Sequence, residues 1–117
     1  MRMASSVPAA EQGSFEDRRA YPRFTVALPA FLQAEGERYS VQLLDLSAGG
    51  AKLDCSINLA SGTNVTLDCG TLGRPAVVRW RGPGVLGISF ESELDARDVS
   101  ALVKRSEALA AWRKTRE

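Results

Sequence analysis

Histidine is missing from all 117 residues. Its absence removes imidazole acid–base chemistry, Ser–His and Cys–His nucleophile pairs, and the usual zinc and non-haem iron sites. Cysteine is nearly as scarce: Cys55 and Cys69 are the only thiols, with no CxxC spacing. Two separated thiols suit a reduced chain that uses them as small core side chains at strand ends, and a cytoplasmic location is expected. No apolar run nears the ~18 residues of a membrane span. Met1–Ser14 has no hydrophobic signal region, and no lipidation motif is visible. Membrane insertion is therefore not expected. A surplus of one charge is lacking too. Fifteen Lys+Arg against fourteen Asp+Glu leave a net charge of +1, so a phosphate-coating DNA binder is not expected.

What is present is ordinary for one globular domain: 44% hydrophobic and 25% charged residues. Residues 1–17 are small and polar and read as a flexible leader. After the basic stretch Arg18–Arg23, the pattern turns to alternation with a period of two. Phe24, Val26, Leu28 and Ala30 mark a first strand, in which Pro29 belongs at an edge or a bulge. Tyr39, Val41 and Leu43 mark a second, Ala51, Leu53 and Cys55 a third, and Val65, Leu67 and Cys69 a fourth. Gly73-Arg74-Pro75 is read as a break before a fifth strand over Ala76–Arg81, and Val85–Glu91 is a sixth. Six short strands separated by Gly and Pro predict a mainly β fold, a small antiparallel barrel that is closed or nearly so.

The tail changes period. Asp95 can cap a helix, with Asp98 as a weak capping-box partner. Val99, Leu102, Val103, Leu109 and Trp112 then recur at helical spacing, as a stripe packed on the barrel or on a partner. The expected division is a leader over 1–17, the barrel with its N-terminal Arg loop over 18–93, and a C-terminal α-helix over 94–117.

Two motifs carry chemistry. Arg19-Ala20-Tyr21-Pro22-Arg23 is an RxxxR preceded by Arg18, and Asp45-Leu46-Ser47-Ala48-Gly49-Gly50 is a DxSxxG between the second and third strands. Alone, the first reads as an edge-blunting basic patch and the second as a polar turn. In this order, with Gly87-Ile88-Ser89-Phe90 in the last strand, the chain from Arg18 to the terminal helix resembles the PilZ domain family. Members of that family bind the bacterial second messenger cyclic di-GMP. The resemblance implies a six-stranded barrel and a receptor without catalysis, cofactor or metal. It also implies that Arg19 and Arg23 grip phosphates and guanine edges, that Asp45 and Ser47 take the other guanine edge, and that Arg18 favours an intercalated ligand dimer.

The residue chemistry agrees. Guanidinium forks match phosphate oxygens and guanine O6/N7, and Lys does not. The Asp45 carboxylate suits the guanine N1–H and N2–H₂ donors, and the Ser47 hydroxyl can donate or accept. Gly50 is expected either to turn the backbone with a positive φ or to let ligand approach closely. Tyr21 is expected to anchor the basic loop. Trp80 stays open between a core position and a guanine-stacking platform, because it shares strand parity with Val78. If Trp80 is core, Arg79 or Arg81 would flank the ligand instead.

The first functional reading is a cyclic di-GMP receptor that reports, through ordering of the N-terminal Arg loop, to an unidentified bacterial effector of motility, exopolysaccharide synthesis or transcription. A ligand-independent interaction adaptor and a single-stranded nucleic-acid binder on Arg79-Trp80-Arg81 are the alternatives. No motif assembles a nucleophile with its base, so an enzyme is the least expected class.

Overall fold

The computed structural model describes residues 21–70 and 72–116. The expected leader, with Arg18 and Arg19, lies outside these residues. Six strands form a closed barrel in the order β1-β2-β3-β6-β5-β4: β1 (Phe24–Ala34), β2 (Glu37–Leu46), β3 (Gly50–Asp54), β4 (Asn64–Cys69), β5 (Leu72–Gly82) and β6 (Val85–Phe90). All pairs are antiparallel, and β1 closes the ring on β4. One helix, α1 (Ala96–Arg116), follows. Among the described residues no helix is long and apolar enough to cross a membrane.

The alternation read from the sequence becomes the barrel wall. Val26, Leu28, Ala30, Leu32 and Ala34 of β1 all point inward and are buried. They meet Leu43, Leu46, Leu53, Leu67, Val78 and Leu86, each almost fully enclosed. Burying one such side chain contributes roughly 1.5–3 kcal/mol. Both thiols are buried and unpaired, Cys69 at the end of β4 and Cys55 just past β3.

Two strands are longer than the sequence suggests, and proline explains both. Pro29 sits mid-strand opposite Gln42, but β1 takes up its register with β4 only from Phe31 onward. Pro75 is likewise inside β5, which starts at Leu72 and not at Ala76. Over Gly73–Pro75 the strand pairs with β4 alone, and β6 joins only at Ala76. A residue without an N–H is tolerated where one side of the strand carries no ladder.

The helix begins as expected at Asp95, whose Oδ1 accepts the Arg97 N–H at 3.0 Å. Asp98 is not its capping-box partner. Its carboxylate accepts instead from the Arg74 guanidinium at 3.4 Å, linking the helix start to β5. Val99 and Leu102 enter the core, and Val103 and Leu109 pack partly against it. Trp112 does not join them and is 55% exposed, because the last turns of α1 run past the barrel.

Docking is also polar. The pairing of β1 with β2 slips between Thr25 and Leu28, and there the Ala27 N–H donates to Ser106 Oγ at 2.9 Å. Ser106, otherwise an odd polar residue to bury, thus satisfies an amide at the bulge.

Candidate functional site

The β1–β2 register brings Arg23, the last residue of the first sequence motif, beside the second motif. Phe24 pairs with Leu46 and Thr25 with Asp45, so Arg23, the residue before β1, falls beside the DxSxxG turn. Its Nε and Nη2 both donate to Asp45 Oδ2 at 3.3 Å. The two side chains are 44% and 26% exposed, so the pair is solvent-screened and contributes at most about 1 kcal/mol to stability. It poises the Arg23 guanidinium more than it holds the fold.

The turn from Asp45 to Gly50 is closed by its own serine. The Ser47 N–H donates to the Gly50 carbonyl at 2.9 Å, and Ser47 Oγ accepts the Gly49 N–H at 3.2 Å. Ser47 is 5% exposed, so its hydroxyl supports the turn's shape. The turn is also tied outward: Phe90 N–H donates to Gly49 O and Leu94 N–H to Ala48 O, both at 2.9 Å.

Gly50 does not turn the backbone with a positive φ, the first of the two roles expected of it, and it meets a further demand. It pairs with Ser89 of β6, and a Cβ there would run into the Ile88 carbonyl oxygen. Glycine is needed so that two backbones can approach closely.

Trp80 is kept out of the core by an irregularity of β5. Val78 pairs with Ile88 but Trp80 with Gly87, so Arg79 is an extra residue, a β-bulge. The bulge breaks the parity that tied Trp80 to Val78. Val78 is fully buried, and Trp80 is 45% exposed. Gly87 is the floor beneath the indole, since a Cβ at that position would overlap the ring.

These elements enclose an open cavity of about 580 Å³. Arg23, Ser47, Gly50 and Trp80 all line it, together with Tyr21, Gly49, Ala51, Arg79 and the β6 residues Gly87, Ile88 and Ser89. Asp45 is not in the lining and reaches the site through Arg23. Arg81 is not in the lining either. Tyr21 fixes the incoming chain: its ring packs against Gly49 and its hydroxyl donates to Glu93 Oε2. The sequence reading assigned no function to Gly49 and Ser89 as lining residues or to Gly87 as a floor. The signal for Gly87 was a glycine set between the apolar residues Leu86 and Ile88 of β6, but its partner Trp80 is visible only in the register.

The cavity thus combines a flat indole face, an apolar floor and two guanidinium groups. Such a set suits a planar heterocycle that carries acceptor oxygens: stacking on one side, forked hydrogen bonds on the other.

A family model, the PilZ domain, matches residues 17–107. Among solved structures, the PilZ domain of CeSA from a cellulose-synthesizing bacterium superposes with a TM-score of 0.54 at 18% identity, covering 76% of this chain and 98% of that one. PlzA of Borreliella burgdorferi, in complex with c-di-GMP, gives 0.56 at 16% identity over 79% of this chain and 44% of that one. The Bacillus subtilis inhibitor of motility MotI/DgrA gives 0.54 at 22% identity over 80% and 52%. The chain therefore spans about half the length of the latter two. No curated protein sequence matches. At these identities the neighbours speak for the fold, and it is the match of the family model over most of the chain, on a closed six-stranded barrel, that makes this chain a member of the PilZ domain family.

Proposed function

We propose that this chain is a non-catalytic receptor for cyclic di-GMP. The observation that carries the reading is the convergence of Arg23, the Asp45–Gly50 turn and the exposed face of Trp80 on one cavity. Cyclic di-GMP is a dianion with two guanines. One guanine would stack on Trp80, and Arg23 would take a phosphate or the O6/N7 edge. By the family resemblance, Arg18 and Arg19 would close over the ligand from the segment before Tyr21, and Asp45 would accept from a guanine N1–H and N2–H₂.

The route to a partner protein would run through the helix start. Both halves of the site are fastened there, Tyr21 to Glu93 and Ala48 to Leu94. A ligand that moves Arg23 or the turn changes the residues leading into α1, and the altered surface is what an effector would read.

Titration calorimetry with cyclic di-GMP tests the reading. Saturable binding is expected, with no competition from GTP or cyclic AMP. Arg23→Ala should weaken it roughly 10- to 150-fold, the equivalent of a lost charge-assisted bond, while thermal stability barely changes. No saturable heat at millimolar ligand would end the proposal.

A further inference from the structure

We infer that Arg79 is a second ligand-gripping guanidinium, built into the barrel wall and held ready for an acceptor pair of the molecule stacked on Trp80. The inference rests on the cyclic di-GMP reading and extends it to a residue outside both sequence motifs.

The argument starts from the bulge. In a regular strand, neighbours point to opposite faces, so a tryptophan and the residue before it cannot serve one cavity. The extra residue in β5 cancels that rule. Arg79 and Trp80 are both exposed, and both line the same cavity. Arg79 is also oriented. Its Nε donates to Ser89 Oγ at 2.8 Å, and Ser89 is held between Gly50 of β3 and Val77 of β5. A guanidinium carries five N–H donors, and this bond uses one of them. No carboxylate pairs with Arg79 among the described residues, whereas Arg23 is already engaged by Asp45.

The two arginines therefore differ in what binding asks of them. Arg23 must share or exchange its carboxylate partner. Arg79 needs no exchange, because its anchor is a hydroxyl on a strand paired on both sides and its fork remains open. A planar fork of this kind matches two phosphate oxygens or guanine O6 and N7, and an ammonium group does not reproduce it. Ser89 acts through Arg79 as a positioning residue.

The test is titration calorimetry of cyclic di-GMP on the full chain, with thermal unfolding of each ligand-free variant as the check on folding. Arg79→Ala should bind about tenfold more weakly or worse, and Arg79→Lys should recover less than half of the loss on a logarithmic scale. Ser89→Ala, which frees the side chain without removing it, should cost about three- to fivefold and nothing further in an Arg79→Ala background. Arg81→Ala, two residues on and outside the lining, should stay within about twofold. A wild type that binds together with an Arg79→Ala variant of unchanged affinity overturns this inference alone. Equal losses at Arg79 and Arg81 overturn it as well, since they would report bulk charge. A wild type that does not bind overturns the receptor reading, and this inference with it.

Discussion

Adding one methyl group at Gly87 should disable the cavity without unfolding the barrel. A Cβ at that position overlaps the Trp80 indole, whose Cε2, Nε1 and Cζ2 are the three nearest atoms to it. The backbone can accept alanine there, because its φ is not positive. The obstacle is one side chain with a free edge in solvent, so the ring tilts and the fold stays. Stacking of a base on an aromatic face is worth about 1–3 kcal/mol, which corresponds to roughly 5- to 150-fold in affinity. Gly87→Ala should lose much of that amount, and Trp80→Ala all of it. The assay pairs calorimetry with fluorescence in a Trp112→Phe background, where Trp80 is the sole tryptophan. Its emission should shift in Gly87→Ala even without ligand. The decisive measurement is the double variant: once the indole is gone, the extra methyl has nothing to displace, and Gly87→Ala should cost almost nothing on top of Trp80→Ala. Fully additive losses, or an unshifted emission with intact affinity, would refute the picture of Gly87 as the floor under the ring.

Other glycine and polar positions give contrasting outcomes. Gly50→Ala meets the Ile88 backbone carbonyl, which cannot swing aside, so this variant should lose about 1–3 kcal/mol of stability and unfold at a visibly lower temperature by calorimetry. Ser106→Ala strands the Ala27 amide at the β1 bulge; a loss of about 1–3 kcal/mol in denaturant titration, with ligand affinity unchanged in the surviving folded protein, is the expected result. Burial pushes the Cys69 thiol pKa up, although the Arg105 guanidinium nearby pulls the other way. The folded state then keeps its proton while the unfolded chain releases it, so this stabilising contribution is intact below the ordinary thiol pKa and fades as pH rises through and beyond it. Cys69→Ala should show a shallower alkaline decline in stability than the parent chain.

Much of the architecture could be read from parity alone. Val26, Leu28 and Ala30, then Val41 and Leu43, then Ala51 and Leu53, alternate so regularly that each strand announces its buried face. The lengths of β1 and β5 could not be read that way. Pro29 and Pro75 look like stops until it is known which side of each strand lacks a neighbour, and that is a property of the sheet. The candidate site divides along the same line. Arg23, Asp45 and Ser47 lie in spaced motifs, and a β1–β2 hairpin is enough to bring them together. Trp80 depended on a register slip that no local pattern records. Gly50 was read for a positive φ or for close approach of a ligand, and a demand that neither reading contains comes from the carbonyl of a residue 38 positions later in the chain. Asp98 was read as serving its own helix, and a guanidinium from β5 claims it.

The bulge at Arg79 also brings together two kinds of genetic change that are usually ranked far apart. Exchanging Arg79 for another amino acid removes one group and leaves every later side chain of β5 facing as before. Removing its codon does much the same, because Val78 opposite Ile88 and Trp80 opposite Gly87 then become plain neighbours, one facing in and one facing out, so the indole stays on the outer wall and only the guanidinium is lost. In this barrel the outward face of the indole is fixed by its partner across the ladder, and the extra residue beside it adds a charged group to that wall without turning the ring.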